Sequence, residues 1–199
     1  MAFFGAPVKN KNDSYQAVMS GIKMLDSLNA FNKKQKLKNR PEFQIGIGIS
    51  FGDVIVGNIG SDKKMDYTVI GNMVNLSSKL EELTKIYKKP LIISESVFKK
   101  VNKDIPCRML DYVRIKAKQK GIRIYTPNEK LNKREKLAWK YHKDGLMLFY
   151  ERKFEQAFEL FVKVLEILPM DRCSKIFIER CKHFKNAPPS KDWDGIIDM

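Results

Sequence analysis

Two linked stretches decide how this chain folds: Ile45-Gly-Ile-Gly-Ile-Ser-Phe-Gly-Asp-Val-Ile-Val-Gly-Asn-Ile-Gly-Ser61 and Met65-Asp-Tyr-Thr-Val-Ile-Gly-Asn-Met-Val-Asn-Leu-Ser-Ser-Lys-Leu-Glu-Glu82. Phe43 to Ser50 alternates as a strand does, and Phe51-Gly52-Asp53 is a glycine turn. Val54 to Ile59 reads as a second strand, so the pair is expected to form a hairpin. Ser61 to Lys64 is polar and exposed, and Met65 to Ile70 is a third extended segment. The period then changes. Gly71 and Asn72 open a helix with Val74, Leu76, Leu80, Leu83 and Ile86 on its apolar side.

Upstream, Tyr15, Val18, Met19, Ile22, Leu25, Leu28 and Phe31 recur at helical spacing over Ser14 to Phe31, with Asp13 or Ser14 as cap. Asn32 to Arg40 reads as a basic loop. Downstream, Leu91-Ile92-Ile93 is a short buried strand and Ser94 to Val101 a small helix. Strands follow at Arg108 to Lys116 and Ile122 to Tyr125, around a Lys-rich turn. This alternation predicts an α+β domain over residues 1–127. Pro127 to Lys133 is a linker. Residues 128–199 form a helical tail with helices over Arg134–Tyr150, Phe154–Leu168 and about Cys173–Phe184. Gly145, Ala157, Phe161 and Pro169 fit the spacing of a tetratricopeptide unit: small residues where helices cross, Phe in the seam, Pro at the exit. One such unit cannot bury its own face and has to pack on the rest. Trp193 anchors an extended end.

The chain has 199 residues, 43% of them hydrophobic, enough for one domain with an appendage. No stretch approaches 18 apolar residues, so no membrane segment is expected, and the apolar run at the start is broken by Gly5 and Pro7. Cys107, Cys173 and Cys181 form no C-x-x-C pair and read as reduced thiols of a cytoplasmic protein. Net charge is +15, with 38 Lys and Arg against 23 Asp and Glu, which favours anionic partners. Thirty of the 38 are Lys, scattered along the chain, where base reading leans on Arg. No nucleic-acid partner is expected.

There is no P-loop and no G-x-G-x-x-G. The only histidines, His142 and His183, lie in the helical tail as packing or surface residues, which argues against a His-dependent triad. The segment Asp66 to Lys79 is different. Thr68 ends a strand, and Asn75 and Lys79 sit four apart on one helical face. A carboxamide, a cation and a strand-end hydroxyl suit the ribose, phosphates and base of a nucleotide. The same spacing also serves the solvated side of an ordinary amphipathic helix.

Residues 43–125 resemble, in order, the class III nucleotide cyclase catalytic domain. The matching pieces are GIGIS-x-G-x-V-x-x-GNIGS, DYTVIGN-x-VNLSSKLE and LDYVRIKAK…IRIYTP. The resemblance implies a ferredoxin-like fold and the reaction of ATP to cyclic AMP and pyrophosphate, the chemistry of a phosphorus–oxygen lyase. It implies that Asn75 orients the ribose and that Lys79 holds the position of a phosphate-stabilising Arg. Thr68 would read the base, pointing to adenine, and Lys116 would contact the terminal phosphates. The implied partners are ATP and a cyclase homodimer or an intact cyclase subunit.

Two departures qualify it. Lys79 replaces Arg, a point charge in place of a planar fork. Met1-Ala-Phe-Phe-Gly-Ala-Pro7 also resembles the end of the family's GDAVMAFFGAP segment, whose metal-binding Asp precedes that Met. The Mg²⁺ or Mn²⁺ expected for the family therefore has no ligands in this sequence; Asp53, Asp62 and Asp66 do not take that role by the match. The N-terminal strands of the fold would be missing, and this chain alone is expected to lack measurable cyclase activity. The alternatives are a complementing subunit of a cyclase dimer or a non-catalytic interaction module, the latter suggested by Trp139, Phe149, Tyr150, Phe154, Phe158 and Phe161.

Overall fold

A computed structural model describes residues 1–8, 10–61, 64–115 and 120–198. The chain divides into two compact units, residues 1–107 with 125–127, and residues 108–124 with 128–199.

The first unit opens with α1 (Asp13–Leu37), which runs through most of the expected basic loop. Lys and Gln are good helix formers, and the helix stops only where Asn39 takes a left-handed φ of 51°. Asn12 is its N-cap without a side-chain bond. Strand β1 (Ile47–Ile49) is shorter than predicted and pairs in parallel with β4 (Leu91–Ser94), Ile47 opposite Leu91 and Ile49 opposite Ile93. The hairpin lies one strand later than expected. Strand β2 (Ile55–Ser61) pairs with β3 (Lys64–Ile70), from Ile55 opposite Ile70 to Ser61 opposite Lys64. The glycine turn at 51–53 thus carries the chain out of the sheet, not back along β1.

Helix α2 (Asn72–Tyr87) follows Gly71, whose φ of 152° and ψ of 169° suit glycine alone. Its Leu80, Leu83 and Tyr87 are buried, with Leu91, Ile92, Ile93, Val97 and Val101. Gly48 of β1 explains how α2 sits so close. A Cβ on Gly48 would meet Glu81 N at 2.5 Å and Leu80 Cβ at 2.9 Å, and would overlap the Ser77 carbonyl. Helix α3 (Glu95–Val101) is capped by Ser94, which accepts from the Val97 amide. In the same unit Tyr125 stacks on Phe98, centroids 3.9 Å apart and planes within 2°.

The second unit pairs β5 (Cys107–Arg114) in parallel with β7 (Ile197–Asp198), Val113 opposite Ile197. Strand β6 (Ile122–Pro127) neighbours β5. The three predicted tail helices are α4 (Lys133–Tyr150), α5 (Phe154–Ile167) and α6 (Arg172–Asn186). Asn132 and Glu135 form a reciprocal capping box at the start of α4. Gly145 lies against the Phe161 ring, where a Cβ would come within 3.0 Å. Ala157 and Phe161 are fully buried. Trp193 packs on Phe149, Phe154 and Phe184, as an anchoring residue does.

Candidate functional site

Helix α2 carries the two central residues. Asn75 and Lys79 both stand on its exposed side, one turn apart. Opposite them the helix meets β1. Ser50 Oγ donates to the Met73 carbonyl at 2.7 Å and shares a 2.8 Å hydrogen bond with Ser77 Oγ. Lys79 Nζ donates to Glu82 Oε2 at 2.7 Å, with the side chains 45% and 52% exposed. A pair this open is worth less than about 1 kcal/mol, so an incoming phosphate can take the ammonium from Glu82. Thr68 is half-buried on β3, opposite Gly57 of β2, just upstream of the helix. Lys116 lies outside the described residues, as does Asp62.

The structure thus sets Asn75 and Lys79 on one face and places Thr68 on the strand leading to it. Sequence reasoning missed Ser50, which bonds to this helix, and Ser77 and Glu82, which lie on it. A signal was present: Ser50 closes the Gly-Ile-Gly-Ile run, where a polar residue follows a strand packed too tightly for side chains.

A cavity of about 1250 Å³ in the same unit is bordered by Phe3, Asp13, Phe51, Asp53 and Lys100, and none of Thr68, Asn75 and Lys79 lines it. Among the described residues, no group of three or more His, Cys, Asp or Glu side chains could hold a metal ion. The donor set of the described residues does not fit the expected Mg²⁺ or Mn²⁺. Among the described residues, no helix is long and apolar enough to cross a membrane.

Of the six tail aromatics named from the sequence, Phe149, Phe154 and Phe161 are buried, and Trp139, Tyr150 and Phe158 are half-buried. Phe149 packs edge-on against Phe154 and Phe177, and Phe161 stacks on Phe177, so these rings are core. His142 is fully buried, its Nδ1 3.2 Å from Ser174 Oγ, and is a packing residue.

Comparison with known proteins gives the context. An adenylate cyclase of Dictyostelium discoideum, terminal-differentiation specific, is 28% identical over 180 residues, covering 86% of this chain and 8% of that protein. The structure of the adenylyl cyclase CyaB from P. aeruginosa superposes with a TM-score of 0.59 at 29% identity, over 65% of this chain and 66% of that one. The guanylyl cyclase Cya2 superposes with a TM-score of 0.53, also at 29% identity, over 65% of this chain and 66% of that one. The chain spans less than a quarter of the curated relatives it first matches, 8%, 19% and 23% of their lengths. Residues 1–128 match the family described as adenylate and guanylate cyclase catalytic domain, and the chain belongs to that family.

Proposed function

We propose that this chain carries the nucleotide-reading side of a class III adenylate cyclase site, serving the conversion of ATP to cyclic AMP and pyrophosphate in the cytoplasm. The observation that carries this reading is the outward face of α2, with Asn75 and Lys79 exposed together and Lys79 in an open surface pair with Glu82. The Asn75 carboxamide both donates and accepts, which suits a ribose hydroxyl and ring oxygen. Lys79 neutralises charge that grows on the phosphates as the 3′ oxygen attacks and pyrophosphate leaves. Thr68 reads the base edge, and Lys116 binds the terminal phosphates. Adenine is favoured by Thr68 and by the adenylate cyclase relatives; the equal identity to a guanylyl cyclase makes the base the first point to test.

In this reading residues 1–127 are the C-terminal part of a ferredoxin-like cyclase domain, and 128–199 a tetratricopeptide-like tail. The site is shared across a cyclase dimer, in which a partner subunit's carboxylates hold the metal. The test mixes it with a cyclase subunit that keeps its metal carboxylates and lacks its own site Asn. Cyclic AMP from the mixture and from neither protein alone supports the proposal. A silent mixture in which the two proteins associate overturns it.

A further inference from the structure

Strand β1 makes its last ladder contact at Ile49, opposite Ile93. Ser50 and Phe51 lie beyond it, yet two helices are tied to them. The Ser50 hydroxyl donates to the Met73 carbonyl at 2.7 Å and meets the Ser77 hydroxyl at 2.8 Å. A hydroxyl has one proton, so the bond to Met73 leaves Ser77 as the donor of the other. Met73 and Ser77 are one helical turn apart, so a single hydroxyl spans the first turn of α2. At 100° per residue, Asn75 points away from that side and Lys79 follows it one turn later. From the other direction, Ser96 Oγ donates to the Phe51 carbonyl at 2.9 Å, and Lys100 Nζ sits 4.0 Å above the Phe51 ring. The close approach at Gly46 and Gly48 fixes the distance between β1 and α2. It leaves rotation and sliding of the helix to directional contacts, and the hydroxyl chain is directional.

We propose that Ser50, acting through Ser77 and Met73, is a positioning residue that sets the rotation and axial register of α2, and with them the direction in which Asn75 and Lys79 meet a nucleotide. The inference rests on reading that face as the nucleotide side of the site. Ser50 touches no reacting atom; its effect passes entirely through the helix.

The test uses the full chain with Ser50→Ala, Ser50→Thr and Ser77→Ala. Three quantities are read: affinity for a fluorescent ATP analogue, amide exchange over residues 72–79, and the melting temperature. Losing both hydrogen bonds in Ser50→Ala is expected to weaken binding about tenfold or more and to speed exchange over residues 72–79 by a similar factor. Exchange over β4 and α3 is expected to stay unchanged. Ser50→Thr, which keeps the hydroxyl, is expected to restore both. If Ser50→Ala fails to fold, Ser77→Ala removes only the second bond and decides the question. Unchanged affinity together with unchanged exchange overturns the proposal, as does a loss that Thr does not rescue. A wild-type chain that binds no analogue overturns the nucleotide reading instead. In that event, exchange over residues 72–79 still decides whether Ser50 holds the helix.

Discussion

Arg108 on β5 and Asp171 at the N-cap of α6 are joined by two parallel hydrogen bonds, Nη1 to Oδ2 and Nη2 to Oδ1, each 2.7 Å. The two side chains are 2% and 1% exposed. Asp171 also caps α6 by accepting from the Ser174 amide, and Arg108 donates to Ser174 Oγ at 3.3 Å. Removing one partner of a buried pair strands the other charge. Asp171→Ala is therefore expected to cost about 3–5 kcal/mol in urea unfolding. Replacing both residues by apolar ones of similar volume is expected to recover most of it, because the desolvation cost disappears with the charges.

Tyr150 gives a contrasting case. Its hydroxyl is buried and has no hydrogen-bond partner among the described residues, while its ring packs edge-on against Tyr112 and Phe149. Burial, aided by Asp111, pushes its phenol well above the ordinary range. Tyr150→Phe keeps the ring and removes the unmatched group, so it is expected to raise stability by about 1 kcal/mol, read from the shift in urea midpoint.

Two glycines test how α2 and α1 pack. Gly48→Ala forces a methyl into the α2 backbone and is expected to destabilise by about 1–3 kcal/mol. Gly21→Ala places its methyl 3.4 Å from the Leu91 methyls, an ordinary contact, within a helix. Helix propensity then favours Ala by up to about 1 kcal/mol, so this variant is expected to be neutral or stabilised. Thermal melts of the two proteins side by side give the comparison.

How far the sequence reaches is plain from these elements. Helices α2, α4, α5 and α6 were legible because each carries an apolar stripe at helical spacing. The end of α1 was not, because Lys and Gln suit a helix and a polar loop alike. The partner of β1 was also hidden: a parallel pairing with β4 leaves no local mark, while a glycine turn suggests a hairpin wherever it stands. Of the candidate site, Asn75 and Lys79 could be placed on one face from their spacing. The hydroxyl chain behind them joins residues 50, 73 and 77 and appears only once β1 lies under α2.

Burial pushes the thiols of Cys107 and Cys181 up to about 12, from an ordinary value of 9.0. Both stay protonated in the fold where the unfolded chain has begun to ionise. The folded state then binds more protons between pH 9 and 12, so stability is fully present below about 9 and falls as pH rises above it. Replacing either Cys with Ala is expected to flatten that fall. Iodoacetamide at pH 8 is expected to label both thiols slowly unless urea is added.

Lys79 provides the functional prediction that follows from the proposed reaction. Lys79→Arg supplies a fork that grips two phosphate oxygens, and in the mixed-subunit assay it is expected to raise the rate of cyclic AMP formation by about tenfold or more. Lys79→Ala is expected to lower it by at least as much. Equal rates for all three proteins would remove Lys79 from the site.

Strand β5 has a consequence for how such genes can be rearranged. It lies within residues 1–128, which the family shares, yet Asp111 pairs with Arg180 of α6 at 2.6 Å and Arg108 with Asp171, the N-cap of α6. A recombination that joined residues 1–128 to a different downstream partner would inherit two ionic side chains matched to a helix left behind. The point at which the family match ends is therefore not a point at which the chain can be cut and rejoined without cost. Any natural fusion that succeeded there would have to carry compensating changes at residues 108 and 111.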